Sequence, residues 1–526
     1  MIARILTSVA ALALTAGAAA AEYKLTILHT NDFHSRFEPI NKYDSTCDGE
    51  DQAEGKCFGG TARLVTAIAD ARAQAENAIL VDGGDQFQGS LFYTYYKGKA
   101  AAEFMTKLGY DGMTVGNHEF DDGPEVLRGF MDAVGFPVLM SNADVSAEPA
   151  LADVLKKSTV IERGGEKIGL IGLTPEDTHE LASPGKHVHF SDPVAAVQAE
   201  VDRLTAEGVT KIVVLSHSGY GVDQRVAAET TGVDVIVGGH SNTYLSNVSE
   251  KAAGPYPTVV NGVQIVQAYA YGKFLGELNV TFDDAGKVVS AIGEPLIMDA
   301  AVSEDSATLN RIAELAQPLD EIRNKVVAEA AEPIEGSRDV CRVQECQMGN
   351  LVADAMLDRV KDQGVTIAIA NSGGIRASVD AGEVTMGEVL TILPFQNTLS
   401  TFEIDGRTLV EALENGVSQV EDVKGRFPQV AGLKFSWDAS AAPNEGRIGQ
   451  VLVAEGGGFV PIDPQKTYLV VTNDYVRNGG DGYAMFEGDD KNAYDYGPDV
   501  ADVLAEYLAA QGAYAPYTDG RITRGK

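Results

Sequence analysis

Basic residues are scarce in this sequence. Lysine and arginine together number 41 against 76 aspartate and glutamate residues, and the formal net charge is −35 at pH 7. A surface with this charge repels nucleic-acid polymers and anionic membranes, so we expect neither as a partner. An anionic small molecule would need a local cationic pocket, which metal ions and a few arginines can provide.

Long apolar segments are also missing. Crossing a bilayer takes about 20 consecutive apolar residues, and no segment after the N-terminus reaches that length. The N-terminus has Arg4, then a short apolar run over residues 9–14, then small residues up to Ala21. This order is typical of a cleavable signal, so we expect residues 1–21 to be removed and the protein to be secreted or periplasmic. A retained anchor helix is the alternative, and the short apolar run disfavours it.

Cysteines are few: Cys47, Cys57, Cys341 and Cys346. In an exported protein they meet an oxidising compartment, where disulfides form. Three pairings are formally possible. The short spacings favour two local bridges, Cys47 with Cys57 and Cys341 with Cys346. A zinc site built from all four is the alternative, but the two pairs are distant in sequence and neither has the C-x-x-C spacing.

The length of 526 residues predicts two domains, because one hydrophobic core stops growing near roughly 250–300 residues. Over residues 22–302, apolar runs alternate with helical patterns, and several runs end in Gly, Asp, Asn or His clusters. This alternation predicts an α/β sandwich whose strands end in active-site loops. A polar stretch over 303–330 is expected to form a connecting helix. Residues 331–526 are expected to form a second α/β domain.

Histidine is missing from the second domain, because all eight histidines lie at or before His240. A histidine-based metal centre therefore belongs to the first domain. Candidate ligands follow separate predicted strands, in the strings HTNDFHS, DGGDQ, GNHEFDDG, SHSG and GGHSN: Asp32, His34, Asp85, Asn117, His217, His240 and Asn242. Their oxygen and nitrogen atoms suit Zn, Mn or Fe. Each motif alone is also compatible with an ordinary turn or a packed histidine; their shared position after strands indicates a metal site.

Other candidate residues carry acid–base or binding chemistry. His118 and Asp121 lie three residues apart, a spacing at which a carboxylate can orient and charge an imidazole. The second domain offers guanidinium groups that match phosphate oxygens, aromatics that can stack on a purine, and a carboxylate that can accept from a diol. These residues are Arg342, Asn371, Arg376, Phe395, Tyr475 and Asp481. Surface arginines and core aromatics are the alternative interpretation.

Taken in order, these motifs resemble the calcineurin-like metallophosphoesterases and, among them, the 5'-nucleotidase family. LTILHTNDFHSRFEP and GMTVGNHEFDDG look like that family's signatures, and the resemblance covers nearly the whole mature chain. It implies two divalent ions, Zn first, with Mn or Co as alternatives. One ion would be held by Asp32, His34, Asp85 and Asn242, and the other by Asp85, Asn117, His217 and His240. It also implies that Phe395 and Tyr475 sandwich the base, Asp481 binds the ribose, Asn371 contacts the base, and Arg342 and Arg376 contact phosphate.

The activity implied by the resemblance is hydrolysis of nucleotide phosphate esters by metal-activated water, in a cleft that closes by domain rotation. His118, charged through Asp121, would stabilise the transition state. A 2',3'-cyclic nucleotide phosphodiesterase and a UDP-sugar hydrolase are alternatives on the same fold. A secreted nucleotide-binding or adhesion protein is the non-enzyme alternative, but such a protein should lack metal ligands, and none is missing. The native ion, the preferred base and the oligomeric state stay open at this point.

Overall fold

The computed structural model describes residues 22–525 except 43, 45, 46, 48, 396, 489, 490, 495 and 496, with the side chain of residue 180 also left undescribed. The predicted signal over residues 1–21 lies outside this part of the chain. Within the described part, every helix is too short or too polar to span a bilayer.

The N-terminal domain consists of two main β-sheets and flanking helices. Its strands are β1 (Tyr23–Thr30), β2 (Ala78–Asp82), β3 (Gly112–Thr114), β4 (Val138–Leu139), β5 (Ala143–Asp144), β6 (Ser158–Arg163), β7 (Glu166–Leu173), β8 (His189–Phe190), β9 (Ile212–Ser216), β10 (Val235–Val237), β11 (Thr258–Val260), β12 (Val263–Val266), β13 (Phe274–Phe282), β14 (Val288–Gly293) and β15 (Leu296–Ile297). Its helices are α1 (Gly49–Ala53), α2 (Thr61–Gln74), α3 (Leu91–Tyr96), α4 (Lys99–Leu108), α5 (Pro124–Ala133), α6 (Thr178–Leu181), α7 (Pro193–Ala206) and α8 (Tyr220–Glu229).

The two main sheets of this domain pack face to face. One has the order β14-β13-β1-β2-β3-β4 with β15 beside β13, and the other has the order β11-β12-β10-β9-β7-β6. Ile27 and Ile79 of the first sheet share a buried cluster with Val213 and Leu215 of the second. Helices α2, α4 and α5 pack on the first sheet, and α7 and α8 pack on the second. Strands covered on both faces need apolar residues on both sides, which explains the uninterrupted apolar runs in the sequence.

Parallel strands place the site. Strands β1, β2 and β3 run parallel, as do β7, β9 and β10. The loops at their carboxyl ends therefore gather at one edge of each sheet, where ligands bind in open α/β sheets. The candidate metal ligands are on the loops that follow β1, β2, β3, β9 and β10.

The C-terminal domain has its own sheets. Its strands are β16 (Val326–Ala330), β17 (Ile367–Asn371), β18 (Gly382–Thr385), β19 (Leu399–Asp405), β20 (Pro428–Ala431), β21 (Leu433–Trp437), β22 (Ile448–Glu455), β23 (Gly458–Pro461), β24 (Thr467–Asn473), β25 (Ala513–Tyr514) and β26 (Ile522–Arg524). The helices from the connecting segment onward are α9 (Ser306–Ala316), α10 (Asp320–Arg323), α11 (Arg338–Cys341), α12 (Gln347–Val360), α13 (Met386–Ile392), α14 (Gly406–Gly416), α15 (Asp474–Arg477) and α16 (Val500–Gln511). The central sheet β19-β24-β17-β20 is packed against α12 and α16 on one side and α14 on the other.

The connecting helix predicted over residues 303–330 is only partly present, and its last part is wrong. Helix α9 ends at Ala316, a 3₁₀ turn containing Pro318 follows, and α10 ends at Arg323. Residues Val326–Ala330 form strand β16, which pairs with β18 and β25 of the second domain. Proline interrupts a helix because it lacks an N–H, and the β-branched pair Val326 and Val327 suits a strand.

Both predicted disulfides are present, Cys47–Cys57 and Cys341–Cys346. The zinc alternative for the four cysteines is therefore wrong, because each sulfur already has a local partner. The second bridge joins the end of α11 to Cys346, the residue before α12. It fixes the short helix that carries Arg342 at its end.

Candidate functional site

The candidate metal ligands converge at the carboxyl edge of the first domain in an unusual backbone conformation. Positive φ angles occur at Asp32 (49°), His34 (52°), Asp85 (59°), His240 (67°) and Asn242 (51°). Residues other than glycine rarely adopt this left-handed region, and such strain clusters at functional sites. Asp, Asn and His tolerate it better than most side chains, which fits the residue types found here. The turns aim these side chains back toward one point.

Asp85 lies at the centre of the cluster. Its Oδ2 lies 2.9 Å from Nε2 of His217, 3.8 Å from Nε2 of His34 and 3.9 Å from Nε2 of His118. Two groups with metal-ligand spacing share it: one with His34 and His118, the other with His217 and His240. A carboxylate common to two such groups is placed to bridge two ions.

Two histidines are oriented by backbone carbonyls. Nδ1 of His34 lies 3.0 Å from the carbonyl oxygen of Phe87, and Nδ1 of His217 lies 2.6 Å from that of Gly83. A carbonyl can only accept, so each Nδ1 donates and Nε2 is the nitrogen left to bind a cation beside Asp85. Fixing the tautomer through the far nitrogen is how proteins prepare histidine for a metal.

The remaining donors also fit a metal ion. Oδ1 of Asn117 lies 3.0 Å from Nδ1 of His240, and both Asp32 oxygens accept from the backbone N–H of His240. Oδ1 of Asn242 is buried and has no hydrogen-bond partner within the described part of the chain. A buried amide oxygen without a partner is costly unless something such as a cation binds it. The set of carboxylates, imidazoles and amide oxygens therefore fits two divalent ions.

Electrostatics favour positive charge at this point. Burial alone would raise the pKa of Asp85, but the rings of His217, His118 and His34 hold it well below its usual range. Burial would likewise lower the pKa of His217, but Asp85 and Asp32 raise it to about 10. The buried carboxylates thus attract a cation, whether a proton or a metal ion.

His118 forms the predicted dyad with Asp121. Its Nδ1 lies 2.7 Å from Oδ2 of Asp121, and the two side chains are largely buried. Burial opposes the charged ring, yet Asp121 and Asp85 raise the pKa of His118 above its usual value. The dyad therefore favours the charged form of the imidazole beside the candidate metal ligands. Its distance to Asp85 also allows the alternative that His118 is itself a ligand.

Glu119 was not identified from the sequence. Its carboxylate is fully buried and accepts four backbone N–H groups, from Asp85 (3.0 Å), Gln86 (2.8 Å), Phe87 (3.2 Å) and Gly116 (2.6 Å). It thereby ties the loop after β2 to the loop after β3. The sequence does offer one sign that Glu119 has a role. It is an acidic residue inside the GNHEF string, at a place where an apolar residue would pack more easily.

The second domain lies over the candidate metal ligands of the first domain. Residues of both domains line a cavity of about 430 Å³ between them. The lining combines predicted residues of both domains: Asp32, His34, Asp85, Asn117, His118, Asp121, His240, Asn242, Arg342, Asn371, Arg376, Phe395, Tyr475 and Asp481. His217 is fully buried beside Asp85 and does not face the cavity. A volume of this size suits a small ligand such as a nucleotide.

Polar groups line one end of the cavity. Nδ2 of Asn371 donates to Oδ2 of Asp481 at 2.7 Å, and Tyr475 lies against Asp481, whose N–H donates to its hydroxyl at 3.1 Å. Phe395 stacks against the ring of His118 with centroids 5.6 Å apart, and the Arg376 guanidinium lies 5.5 Å from its centroid. These contacts place the residues predicted to bind the nucleoside in the same cavity as the candidate metal ligands.

Cations of the second domain face the same ligands, and two of them were missed. Arg376 lies 3.3 Å from Nε2 of His34, and the Arg338 side chain donates to the His240 carbonyl at 3.2 Å. Lys424 lies 3.1 Å from Nε2 of His240. Arg338 and Lys424 both line the cavity but were not predicted. Arg338 precedes Arg342 by four residues, a spacing that signals one helix face; nothing local marks Lys424.

Comparisons with known proteins agree with this architecture. The model of the calcineurin-like phosphoesterases matches residues 25–244, and that of the 5'-nucleotidase C-terminal domain matches residues 326–488. A snake venom 5'-nucleotidase from Naja atra is 38% identical over 529 residues, which cover 95% of this chain and 98% of that protein. The 5'-nucleotidase of Homo sapiens is 35% identical, with 96% of this chain and 91% of that protein covered.

Solved structures give the same picture. A 5'-nucleotidase precursor from Thermus thermophilus superimposes with a TM-score of 0.91 at 41% identity, covering 95% of this chain and 99% of that one. An NAD nucleotidase from Haemophilus influenzae gives a TM-score of 0.58 at 26% identity, covering 96% and 100%. The likeness therefore extends over both domains and the cleft between them.

Proposed function

This chain belongs to the 5'-nucleotidase family, and on that premise we propose that it hydrolyses 5'-phosphate esters of nucleosides, releasing nucleoside and inorganic phosphate. One observation carries the proposal. The candidate ligands of two divalent ions and the candidate nucleoside residues come from different domains, yet they line one cavity. A general phosphatase would need only the metal ligands and would not need the nucleoside residues.

We propose that the first ion is held by Asp32, His34, Asp85 and Asn242, and the second by Asp85, Asn117, His217 and His240. Zn is the first candidate because imidazole and carboxylate ligands suit it, and Mn or Co are alternatives. When bound, the two ions polarise the phosphoryl group and lower the pKa of the attacking water.

The protein's own groups stabilise the charge that develops on the phosphoryl oxygens. His118 is held and charged by Asp121 beside the cluster, so it can donate from Nε2 to a phosphoryl oxygen. Arg342 and Arg376 provide guanidinium forks that match phosphate geometry. Arg338, the first residue of the short helix that ends just before Arg342, adds a third cation at this end of the cavity.

Residues of the second domain would hold the nucleoside. Asp481 is placed to accept hydrogen bonds from a ribose diol, and Asn371 is fixed beside it to contact the base. The rings of Phe395 and Tyr475 would stack on the base. Residues of both domains would thus have to contact the nucleotide together for the reaction to proceed.

We also propose that the protein is exported to the periplasm or the cell exterior. The two disulfides support this, because such bridges persist in oxidising compartments.

A phosphate-release assay with AMP tests the proposed function. Protein dialysed against a chelator should release no phosphate, and Zn, Mn or Co should restore release. Asp85→Asn should abolish restored activity, because it weakens both ions together. Asp284→Asn, an exposed carboxylate on the turn between β13 and β14, is the matched control and should behave like the wild type. Full activity in metal-free protein would overturn the two-metal assignment.

A further inference from the structure

We propose that Asn415 is a positioning residue that makes the site select nucleotides with a free 2',3'-diol. It acts through Asp481, whose carboxylate is placed to accept hydrogen bonds from the ribose. The inference rests on the proposed function and adds a residue that determines specificity for the sugar. Asn415 itself is buried near the end of α14 and does not line the cavity.

Asp481 has an unusual backbone conformation. It lies in the 3₁₀ turn Gly480–Gly482, and its φ of 54° and ψ of 26° fall in the left-handed region. Residues other than glycine rarely adopt this region, and the conformation persists only where the surrounding structure holds it. The backbone in turn decides where the carboxylate points. Groups that hold the backbone of Asp481 therefore also place its carboxylate in the cavity.

Two hydrogen bonds hold this backbone, one on each side. The N–H of Asp481 donates to the hydroxyl of Tyr475 at 3.1 Å, and its carbonyl accepts from Nδ2 of Asn415 at 3.1 Å. Tyr475 lines the cavity, so a ligand that stacks on its ring contacts this support directly. Asn415 lies outside the cavity. It therefore provides the half of the support that does not depend on the ligand.

A closed ring of buried groups fixes Asn415. Nη1 of Arg426 donates to Oδ1 of Asn415 at 3.0 Å, and the Tyr483 hydroxyl donates to the Arg426 carbonyl at 2.7 Å. Tyr483 follows Asp481 by two residues, which closes the ring. A guanidinium group only donates and a carbonyl only accepts, so one orientation of the Asn415 amide satisfies both of its partners. Buried networks with matched donors and acceptors make a site rigid.

The carboxylate of Asp481 is set for two neighbouring hydroxyls. Its Oδ2 accepts from Nδ2 of Asn371 at 2.7 Å, while its Oδ1 has only a long contact of 3.5 Å with the Tyr475 hydroxyl. Each oxygen of an ionised carboxylate can accept two hydrogen bonds, so both can accept from a diol. Hydrogen bonds weaken steeply with poor geometry. Loss of the Asn415 contact should therefore weaken recognition of the diol and leave the metal ligands and the aromatic rings in place.

Comparing AMP with 2',3'-dideoxy-AMP in Asn415→Asp tests the proposal. The substitution keeps the size of the side chain and an acceptor for Arg426, but an oxygen that repels the Asp481 carbonyl replaces the N–H that donated to it. The value of kcat/KM for AMP should fall about tenfold, mainly through KM, while that for the dideoxy nucleotide should change little. Asn444→Asp makes the same chemical change at an exposed position, so this matched control should leave both values unchanged.

A second variant opens the ring at another point. Tyr483→Phe removes only the hydroxyl that donates to the Arg426 carbonyl and keeps the buried aromatic ring. It should lower the preference for AMP over the dideoxy nucleotide by less than Asn415→Asp does. A thermal melt checks that each variant is folded, and Tyr483→Phe decides the question if Asn415→Asp does not fold. An unchanged preference in Tyr483→Phe would then overturn the proposal.

A double variant tests whether Asn415 acts through Asp481. Asparagine tolerates the left-handed backbone, so Asp481→Asn should keep the turn while it removes the charged carboxylate. Adding Asn415→Asp to Asp481→Asn should lower kcat/KM for AMP no further, because the group through which Asn415 acts is already gone. A further tenfold loss in the double variant would show that Asn415 acts elsewhere and would contradict the proposal.

Calorimetry supplies a readout that does not depend on turnover. Adenosine should bind Asn415→Asp about tenfold more weakly than the wild type, while 2',3'-dideoxyadenosine should bind both equally. Equal losses for the two nucleosides would overturn the proposal, because Asn415 would then only stabilise the domain. A wild type that uses AMP and its dideoxy analogue equally well would also overturn it. If the wild type releases phosphate from neither nucleotide, the proposed function fails instead.

Discussion

At the level of single residues, the sequence motifs predict a candidate ligand set but not its geometry. Asp32, His34 and Asp85 were predicted from their position after strands, and the structure brings them together. The positive φ angles that aim them are a tertiary feature, because only the packed loops can hold such a backbone. Lys424 was missed because it lines the cavity beside His240, which lies 184 residues away in sequence.

His118→Ala should lower kcat strongly and leave the metal content unchanged. The reason is that Nδ1 of His118 is committed to Asp121, while its Nε2 lies 3.9 Å from Asp85 and the ring lines the cavity. Removing one such group typically costs on the order of 10²–10³-fold in kcat. Plasma emission spectroscopy on the purified variant measures the metal. Loss of one metal equivalent would show that His118 is a ligand.

Glu119→Ala should weaken metal binding although Glu119 is not a ligand. The substitution leaves four buried N–H groups without an acceptor and frees the loop that carries Asp85. An unsatisfied buried group costs about 1–3 kcal/mol, so the variant should also melt earlier. Glu119→Gln keeps one acceptor oxygen, so its metal affinity and melting temperature should fall between those of the wild type and of Glu119→Ala.

Competition with a chromogenic zinc chelator measures the metal affinity of these variants. If Glu119→Ala lowers the melting temperature but binds zinc as tightly as the wild type, Glu119 stabilises the fold without positioning Asp85.

At the level of helices and strands, the alternation of apolar runs and helical patterns predicted the α/β architecture correctly. Parallel strands explain why candidate ligands scattered from Asp32 to Asn242 share one edge. The connecting helix was predicted too long, since charge patterning along residues 303–330 does not reveal that Val326 pairs with Thr385. Strand pairing across such a sequence distance is set by tertiary contacts rather than by local pattern.

The Cys341–Cys346 bridge should position Arg338, which is in α11, and Arg342, which follows it. A helix of four residues is not stable alone, and this one carries Arg338 and lies directly before Arg342. Replacing both cysteines by serine should raise KM for AMP more than it lowers kcat, because loosened arginines bind phosphate less well. Steady-state kinetics measure both constants.

The matched control is the Cys47→Ser, Cys57→Ser double variant, which removes the bridge of the other domain. It should change the melting temperature with little effect on KM. Equal effects of the two double variants on KM would show that the Cys341–Cys346 bridge only stabilises the protein.

At the level of the whole molecule, several polar contacts between the domains involve the candidate metal ligands. Arg376 contacts His34, while Arg338 and Lys424 contact His240. The buried residues form distinct clusters, one set ending at Leu319 and the other beginning at Ala330, and Leu390 of α13 packs against both. Domain rotation stays a prediction, and interfaces with many polar contacts permit such relative motion. A site assembled this way is complete only when the domains are closed.

The central claim is that the second domain recognises the base while the first performs the chemistry. Comparing kcat/KM for AMP and for ribose 5-phosphate in the wild type, Phe395→Ala and Tyr475→Ala tests it most directly, with Tyr475→Phe as the control that keeps the ring. Stacking contributes roughly 1–3 kcal/mol per base, so each alanine variant should lose about tenfold to a hundredfold with AMP and change little with ribose 5-phosphate. Equal losses with both substrates would contradict the account, because the rings would then support the fold and not the base.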